Sequence, residues 1–450
     1  MHERTSRAVA RLLFVFCCAV PTSFMMMLIL ATWTPWYHDH CLSSLEQKLA
    51  LHTEMIFEIG DFERPTPTSL RLFRVRVLNP ETGVEVATAR QVEWDEKEGW
   101  AGVLLRQPKL QSSQIREAWT LFHEKFMRGP AHSLGEVTLV AKELTIESST
   151  GSRTIESIHA SVGPVDESVE MLVRCWLANG GETEESFALK VVRDRSGVQP
   201  LTRWELDSGE THLPCSVVAD FMPGIRLLGP DATFHGRAVW SDAPTGPSMD
   251  LGGSVFDSVD LSRMTESMPH RITGQATLKS RHLRFIDGKL QALEGELVAE
   301  KGRLDATLLP VLADQFGFWI EPMVLASPGR DVLYDLVGLS VSLSGDEMQL
   351  EGTCRANLPD VYSNMPPGVV ACFSGLPQMS VRRQRIKSAR VGELMRTGHD
   401  ELLPISRESI ALLQYIEAPS RPVRTPGNTE FPPRVITLSP SSGGPLIRGN

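Results

Sequence analysis

Four consecutive residues, His38-Asp39-His40-Cys41, form the densest group of metal-donor side chains in the sequence. Two imidazoles, a carboxylate and a thiolate are donors for zinc or copper wherever the backbone curls around an ion. They directly follow Trp33, Trp36 and Tyr37, however, and amphipathic side chains belong at a membrane–water boundary on physical grounds alone. The interfacial reading is preferred, and no metal ligand is assigned. His123-Glu124 opens like a zinc-protease helix, but Met127 stands where the second imidazole is required. A polar helix face is the simpler account.

No other pattern supplies chemistry. The sequence lacks a G-x-S-x-G nucleophile elbow, a GxxxxGK[ST] phosphate loop and a G-x-G-x-x-G run after a strand. Carboxylates are plentiful, but no pair can be given acid and base roles from sequence alone. Arg382, Arg383, Arg385, Lys387 and Arg390 form one basic run, worth about 1 kcal/mol per cation beside an anionic surface. A solvated face or linker explains it more simply. The net charge of −10 gives no electrostatic footprint for nucleic acid. The expectation is a non-enzyme with no catalytic, cofactor-binding or metal-binding residue and no cofactor.

The 450 residues, 42% of them apolar, suffice for a large buried core. Residues 12–33 are nearly free of charge and long enough to cross a hydrocarbon core of about 30 Å. Arg4, Arg7 and Arg11 precede this run, and Asp39 and Glu46 follow it. The charge bias predicts a cytoplasmic tail at 1–11, an uncleaved single-pass signal anchor at 12–33, and the bulk of the chain outside. A cleaved signal peptide is the competing reading. It is disfavoured because the apolar run resumes after Pro21 and no small-residue cleavage site follows. Of the 7 cysteines, Cys17 and Cys18 lie in the span and the other five permit two disulfides at most.

Beyond the anchor, Leu42, Leu45 and Leu49 recur at helical spacing over 41–57. Strand signals then dominate. In 70–78, Phe73, Val75 and Val77 alternate with Arg74 and Arg76, predicting a half-buried strand. Asn79-Pro80-Glu81-Thr82-Gly83 turns the chain into a second strand over 84–94. Further strands are predicted at 135–147, 155–162, 170–177, 186–192, 232–240, 333–343 and 348–356. A β-rich block at 272–303 turns at Asp287-Gly288. Helices are predicted at 112–127, 215–222, 305–316, with Asp305 as N-cap, and 406–416. Trp94, Trp100 and Trp119 are expected as core anchors. The segment 418–450 is proline-rich and is expected to be disordered. The fold class is therefore mainly β with a few helices: antiparallel, curved, multi-stranded sheets behind a transmembrane helix. The expected regions are 41–260, 261–375 and a basic linker with a short helix at 376–417.

Several stretches resemble the AsmA-like proteins of bacterial envelopes. They are Gly274-Gln275-Ala276-Thr277-Leu278, Asp287-Gly288-Lys289-Leu290, Gly295-Glu296-Leu297 and Gly302-Arg303-Leu304. The strand 70–78 with its following turn is similar to the opening of such proteins, and the likeness extends over residues 12–360. It implies a strand-built groove or scaffold on an inner-membrane anchor, placed in the periplasm and linked to lipid handling or envelope assembly, with phospholipid or envelope proteins as partners. It implies no catalytic residues. The alternative is an interaction module binding envelope proteins through edge strands or the terminal tail.

Overall fold

The amino-terminal apolar run forms a helix whose first turns are shaped by Pro21. A proline has no N–H to give the preceding turn, and the chain opens there into a π-turn at Val15–Ala19, with Val20 N–H reaching the carbonyl of Val15. Thr22 Oγ1 then donates to the Cys18 carbonyl at 2.5 Å, and helix α1 (Val20–Thr32) continues. Leu12–Leu30 is long and apolar enough to cross a membrane, a property that anchors and signal sequences share. Its side chains are exposed, Phe16 at 66% and Met27 at 71%. The computed structural model describes Val9 and residues 12–388, apart from 33, 54, 124–126, 128–134, 150, 178–185, 198, 220–222, 244–245, 326–328, 330 and 358–364. The expected helix at 406–416, Arg390 and the segment 418–450 lie outside the described residues.

Helix α2 (Pro35–Thr53) leads into one large, curved, mixed sheet of 23 strands among the described residues. β1 (Ile56–Thr66), β2 (Ser69–Leu78) and β3 (Glu85–Lys97) are successive antiparallel neighbours. β4 (Trp100–Arg106) and β5 (Lys109–Gln111) pair antiparallel with β3 and parallel with β6 (Glu136–Ser148). A parallel pair needs a crossover rather than a tight turn, and the connection carries α3 (Ile115–Phe122). Antiparallel order resumes through β7 (Gly151–Val165), β8 (Ser168–Leu177), β9 (Ser186–Asp194) and β10 (Leu201–Asp207).

Next come β11 (Leu213–Pro214), β12 (Thr233–His235), β13 (Arg237–Ala243), β14 (Gly246–Asp250) and β15 (Val255–Asp260). β13 lies between β10 and β14, and β12 lies between β11 and β15. Both β14 and β15 pair with β16 (Ile272–Ile286), so the sheet runs unbroken across 260/261. β16, β17 (Lys289–Leu304) and β19 (Val332–Ser344) form its longest ladder. β19 then carries β20 (Glu347–Gly352) with β23 (Gln384–Lys387) beyond it, and β21 (Val369–Phe373) with β22 (Leu376–Ser380) and β18 (Trp319–Ile320) beyond it.

Several expectations need correction. Residues 376–387, expected to open a basic linker, instead form β22 and β23 within the sheet. The helix expected over 41–57 gives way to β1 at Ile56. The described residues of the expected helix 112–127 are helical, opening as a 3-10 turn at Ser112–Gln114 and running on as α3, whereas the described part of 215–222 holds the short turn Cys215–Val217. The strand predicted to 356 stops at Gly352, with a helical turn at Cys354–Asn357. Helix α4 (Leu308–Phe316) begins later than predicted, with Thr307 as N-cap. Asp305 instead holds the preceding turn, its Oδ1 accepting from Thr307 N–H at 2.9 Å and Thr307 Oγ1 at 2.7 Å.

Strict alternation also fails inside the strands, for a local backbone reason. Arg74, Ser157, Ser258 and Lys301 hold φ of 54°, 49°, 54° and 48°, a left-handed conformation that costs a non-glycine residue energy. Each interrupts the two-residue side-chain period by one position. In β2 the core side chains are therefore Leu72 and Val75, on either side of Arg74, rather than Phe73 and Val75. Ile155 and Ile158 bracket Ser157 in the same way.

The apolar face of the sheet is covered by the chain's own connections. Leu42, Leu45 and Leu49 of α2 pack on Ile59, Leu72 and Val75. Trp119 of α3 and Met127 meet Val162, Val169, Met171, Val191 and Trp204. Ile225 and Leu228 cover Phe234 and Ala238. Leu308, Leu309 and Phe316 of α4 sit in the largest cluster with Val259, Ala276, Ala299 and Tyr334. Helices and connections on one sheet face are the standard solution for burying it.

Candidate functional site

The residues singled out from the sequence do not converge. His38, Asp39, His40 and Cys41 all lie within α2, where successive side chains fan out by about 100° and cannot close on one ion. His38 pairs with Asp61 at 3.1 Å and stacks on Phe62, while His40 stacks on Trp36. Trp36 is 76% exposed, as a side chain at a membrane boundary would be. His123 Nε2 lies 3.2 Å from Thr202 Oγ1 and its ring faces Trp204; Glu124 is outside the described residues. Of the three tryptophans expected in the core, Trp119 is packed edge-on to Trp204, whereas Trp94 is exposed.

The basic run is taken up by the sheet. Arg383 pairs with Glu351 at 3.2 Å, and Arg382 Nε donates to the Pro367 carbonyl. Arg385 and Lys387 lie on β23 opposite Gln349 and Glu347. Charged side chains on such a strand discourage further strand pairing.

Cys41, Cys175, Cys215, Cys354 and Cys372 are all free thiols. Burial pushes the Cys175 and Cys215 thiols up to about 12, which makes them inert nucleophiles. The neighbouring Cys372 thiol and burial push the Cys354 thiol up. Its Sγ also donates to the Val370 carbonyl at 2.9 Å.

Two arrangements appear that the sequence reading did not single out. The first is a shallow concavity of about 290 Å³ in the first strands of the sheet, lined by Arg74, Val75, Arg76, Thr88, Arg90 and Lys109. Arg76 is neutralised by Glu58 at 2.6 Å and Glu85 at 3.0 Å, and Lys109 by Glu147 at 3.3 Å. The second is His212, His235 and Asp257, whose donor atoms all lie within 4.8 Å of one another. Their spacing in sequence matches no local motif, because three separate segments are brought together by strand pairing.

Comparison with protein-family models, curated proteins and solved structures gave no match to this chain. The chain itself defines a class: a mainly β protein with one large mixed sheet behind an amino-terminal apolar helix.

Proposed function

We propose that the protein is a membrane-anchored, non-enzymatic scaffold of a bacterial envelope that docks other envelope proteins onto its sheet. Residues 12–33 act as an uncleaved anchor in the inner membrane, and the sheet stands in the periplasm. Arg4, Arg7 and Arg11 on one side of the span, and Asp39 and Glu46 on the other, support that orientation. The AsmA-like resemblance supplies two tasks, lipid handling and envelope assembly, and the covering of the apolar face favours the second. An acyl chain needs an open apolar surface, whereas α2, α3, α4 and the segment before β12 already occupy this one.

One observation carries the docking reading. On the neighbouring strands β18, β19, β21 and β22, Trp319 is 52% exposed, Leu333 48%, Phe373 36% and Leu376 69%. Exposed large apolar side chains on neighbouring strands of one sheet favour a contact surface. Crosslinking of the intact protein in its membrane, read by mass spectrometry, tests this. A reproducible protein partner that disappears in a Trp319→Glu, Leu376→Glu double variant is expected; recovery of lipid alone would contradict the reading.

A second reading is favoured by the concavity that holds Arg74 and Arg90, whose cations suit an anionic headgroup. Under it, the purified protein carries anionic phospholipid, detected by mass spectrometry, and an Arg74→Ser, Arg90→Ser variant carries less. Equal lipid in both would reject it.

A further inference from the structure

His212, His235 and Asp257 come together through the sheet ladder. The β11–β12 register pairs Leu213 with Phe234 and Pro214 with Thr233, which sets His212 beside His235. The β12–β15 register pairs Thr233 with Asp257 and Phe234 with Phe256. Because side chains alternate along a strand, Thr233, His235 and Asp257 share one face. Phe234 and Phe256 take the other, with ring centroids 5.3 Å apart. The polar trio thus rests on a rigid apolar backing.

The geometry suits a shared ion better than a simple histidine–carboxylate pair. Asp257 Oδ2 lies 3.1 Å from His235 Nδ1 and 3.5 Å from His212 Nδ1. The two imidazoles sit with centroids 4.5 Å apart, inclined at 59°. One carboxylate oxygen therefore faces two ring nitrogens. His235 Nδ1 is buried yet makes no hydrogen bond, despite the nearby carboxylate. A buried ring nitrogen that makes no hydrogen bond is costly, and this one lies with the other two donor atoms inside 4.8 Å, within reach of one shared ion.

The donors also select the ion. Two neutral imidazoles and a carboxylate suit zinc and its first-row neighbours, whereas calcium and magnesium take oxygen donors. With metal–ligand bonds of roughly 2.0–2.2 Å, donors around a tetrahedral zinc stand about 3.3 Å apart. Both carboxylate–imidazole separations are already near that value. A second layer holds the first: Thr277 Oγ1 donates to Asp257 Oδ1 at 2.9 Å, leaving Oδ2 toward the imidazoles. Such outer partners fix the orientation of metal ligands.

We propose that His212, His235 and Asp257 bind one divalent first-row transition-metal ion, with zinc the best match, and that Thr277 positions the carboxylate. Three protein donors leave a coordination position for water or an outside donor. His212, with its side chain 52% exposed, lies on the solvent side of the site. The ion would tie the segment before β11 to β12 and β15.

The test uses the full-length, tag-free protein in detergent, stripped with a chelator and titrated with zinc against a chromophoric competitor. One zinc per chain at micromolar affinity or tighter is expected, with a higher melting temperature in the loaded protein. His235→Ala and Asp257→Asn should each weaken binding by a hundredfold or more, and Thr277→Val by about tenfold. His282→Ala, at an exposed histidine outside the trio, should bind as the parent does. His212→Gln alters a half-exposed side chain and provides a variant whose fold is not at risk; its melting curve without metal should match the parent. Failure of the parent to bind zinc at micromolar concentration overturns the proposal. So does unchanged affinity in folded His212→Gln.

Discussion

Tyr334 is held by two glycines that cannot be replaced at their present positions. A Cβ on Gly302 would collide with the Thr273 carbonyl and come within 2.5 Å of the Tyr334 hydroxyl, and Gly274, with φ of 129°, also abuts that hydroxyl. Tyr334 is 2% exposed and donates to the Thr273 carbonyl at 2.5 Å. Gly302→Ala should cost about 1–3 kcal/mol, as overpacking does, read as a lower urea midpoint. Burial pushes the Tyr334 phenol from 10.0 up to about 12. The fold thus favours the neutral phenol, and its contribution is complete below pH 10.0 and lost as pH rises toward about 12. Tyr334→Phe should flatten the fall of melting temperature in that alkaline window; an unchanged slope would assign the alkaline loss elsewhere. Gly274 and Gly302 thus have a steric reason to be glycine. The turn at Asp287-Gly288 was legible from its dipeptide, and both residues do take positive φ, 52° and 69°. The histidine–aspartate trio was not, because residues 212, 235 and 257 meet only once three strands are in register.

At the scale of elements, the long strands from β6 to β9 and from β16 to β19 were legible because their β-branched and apolar residues recur with the right period. Short strands such as β5, β11 and β18 have too few residues to show any period. β1 was hidden because Ile56 continues the helical spacing of Leu42, Leu45 and Leu49, and the left-handed residues shift the alternation where they occur. The covering helices act through a few side chains each. Leu309 of α4 is 4% exposed in the largest core cluster, and Leu309→Ala should cost about 2–5 kcal/mol. Leu51 of α2 is 79% exposed, and Leu51→Ala should stay within about 0.5 kcal/mol of the parent. Urea titrations of the two variants provide the comparison. Equal losses would mean that α4 does not cover the sheet as described.

At the scale of the whole molecule, one continuous sheet follows an exposed apolar helix, and its apolar face is filled by the connections between its own strands. The fold class was legible because both features are compositional: an uncharged run at the start and alternating strands after it. The expected division near 375 was not, since the turn Phe373 to Leu376 belongs to a hairpin within the sheet. Under the proposed scaffold function, partners would meet the exposed Trp319, Leu333 and Leu376. The most direct measurement is site-specific photo-crosslinking from position 319 in the intact membrane-bound protein. The scaffold account predicts a discrete protein adduct from that position. Adducts with phospholipid alone would contradict it and return the protein to lipid handling.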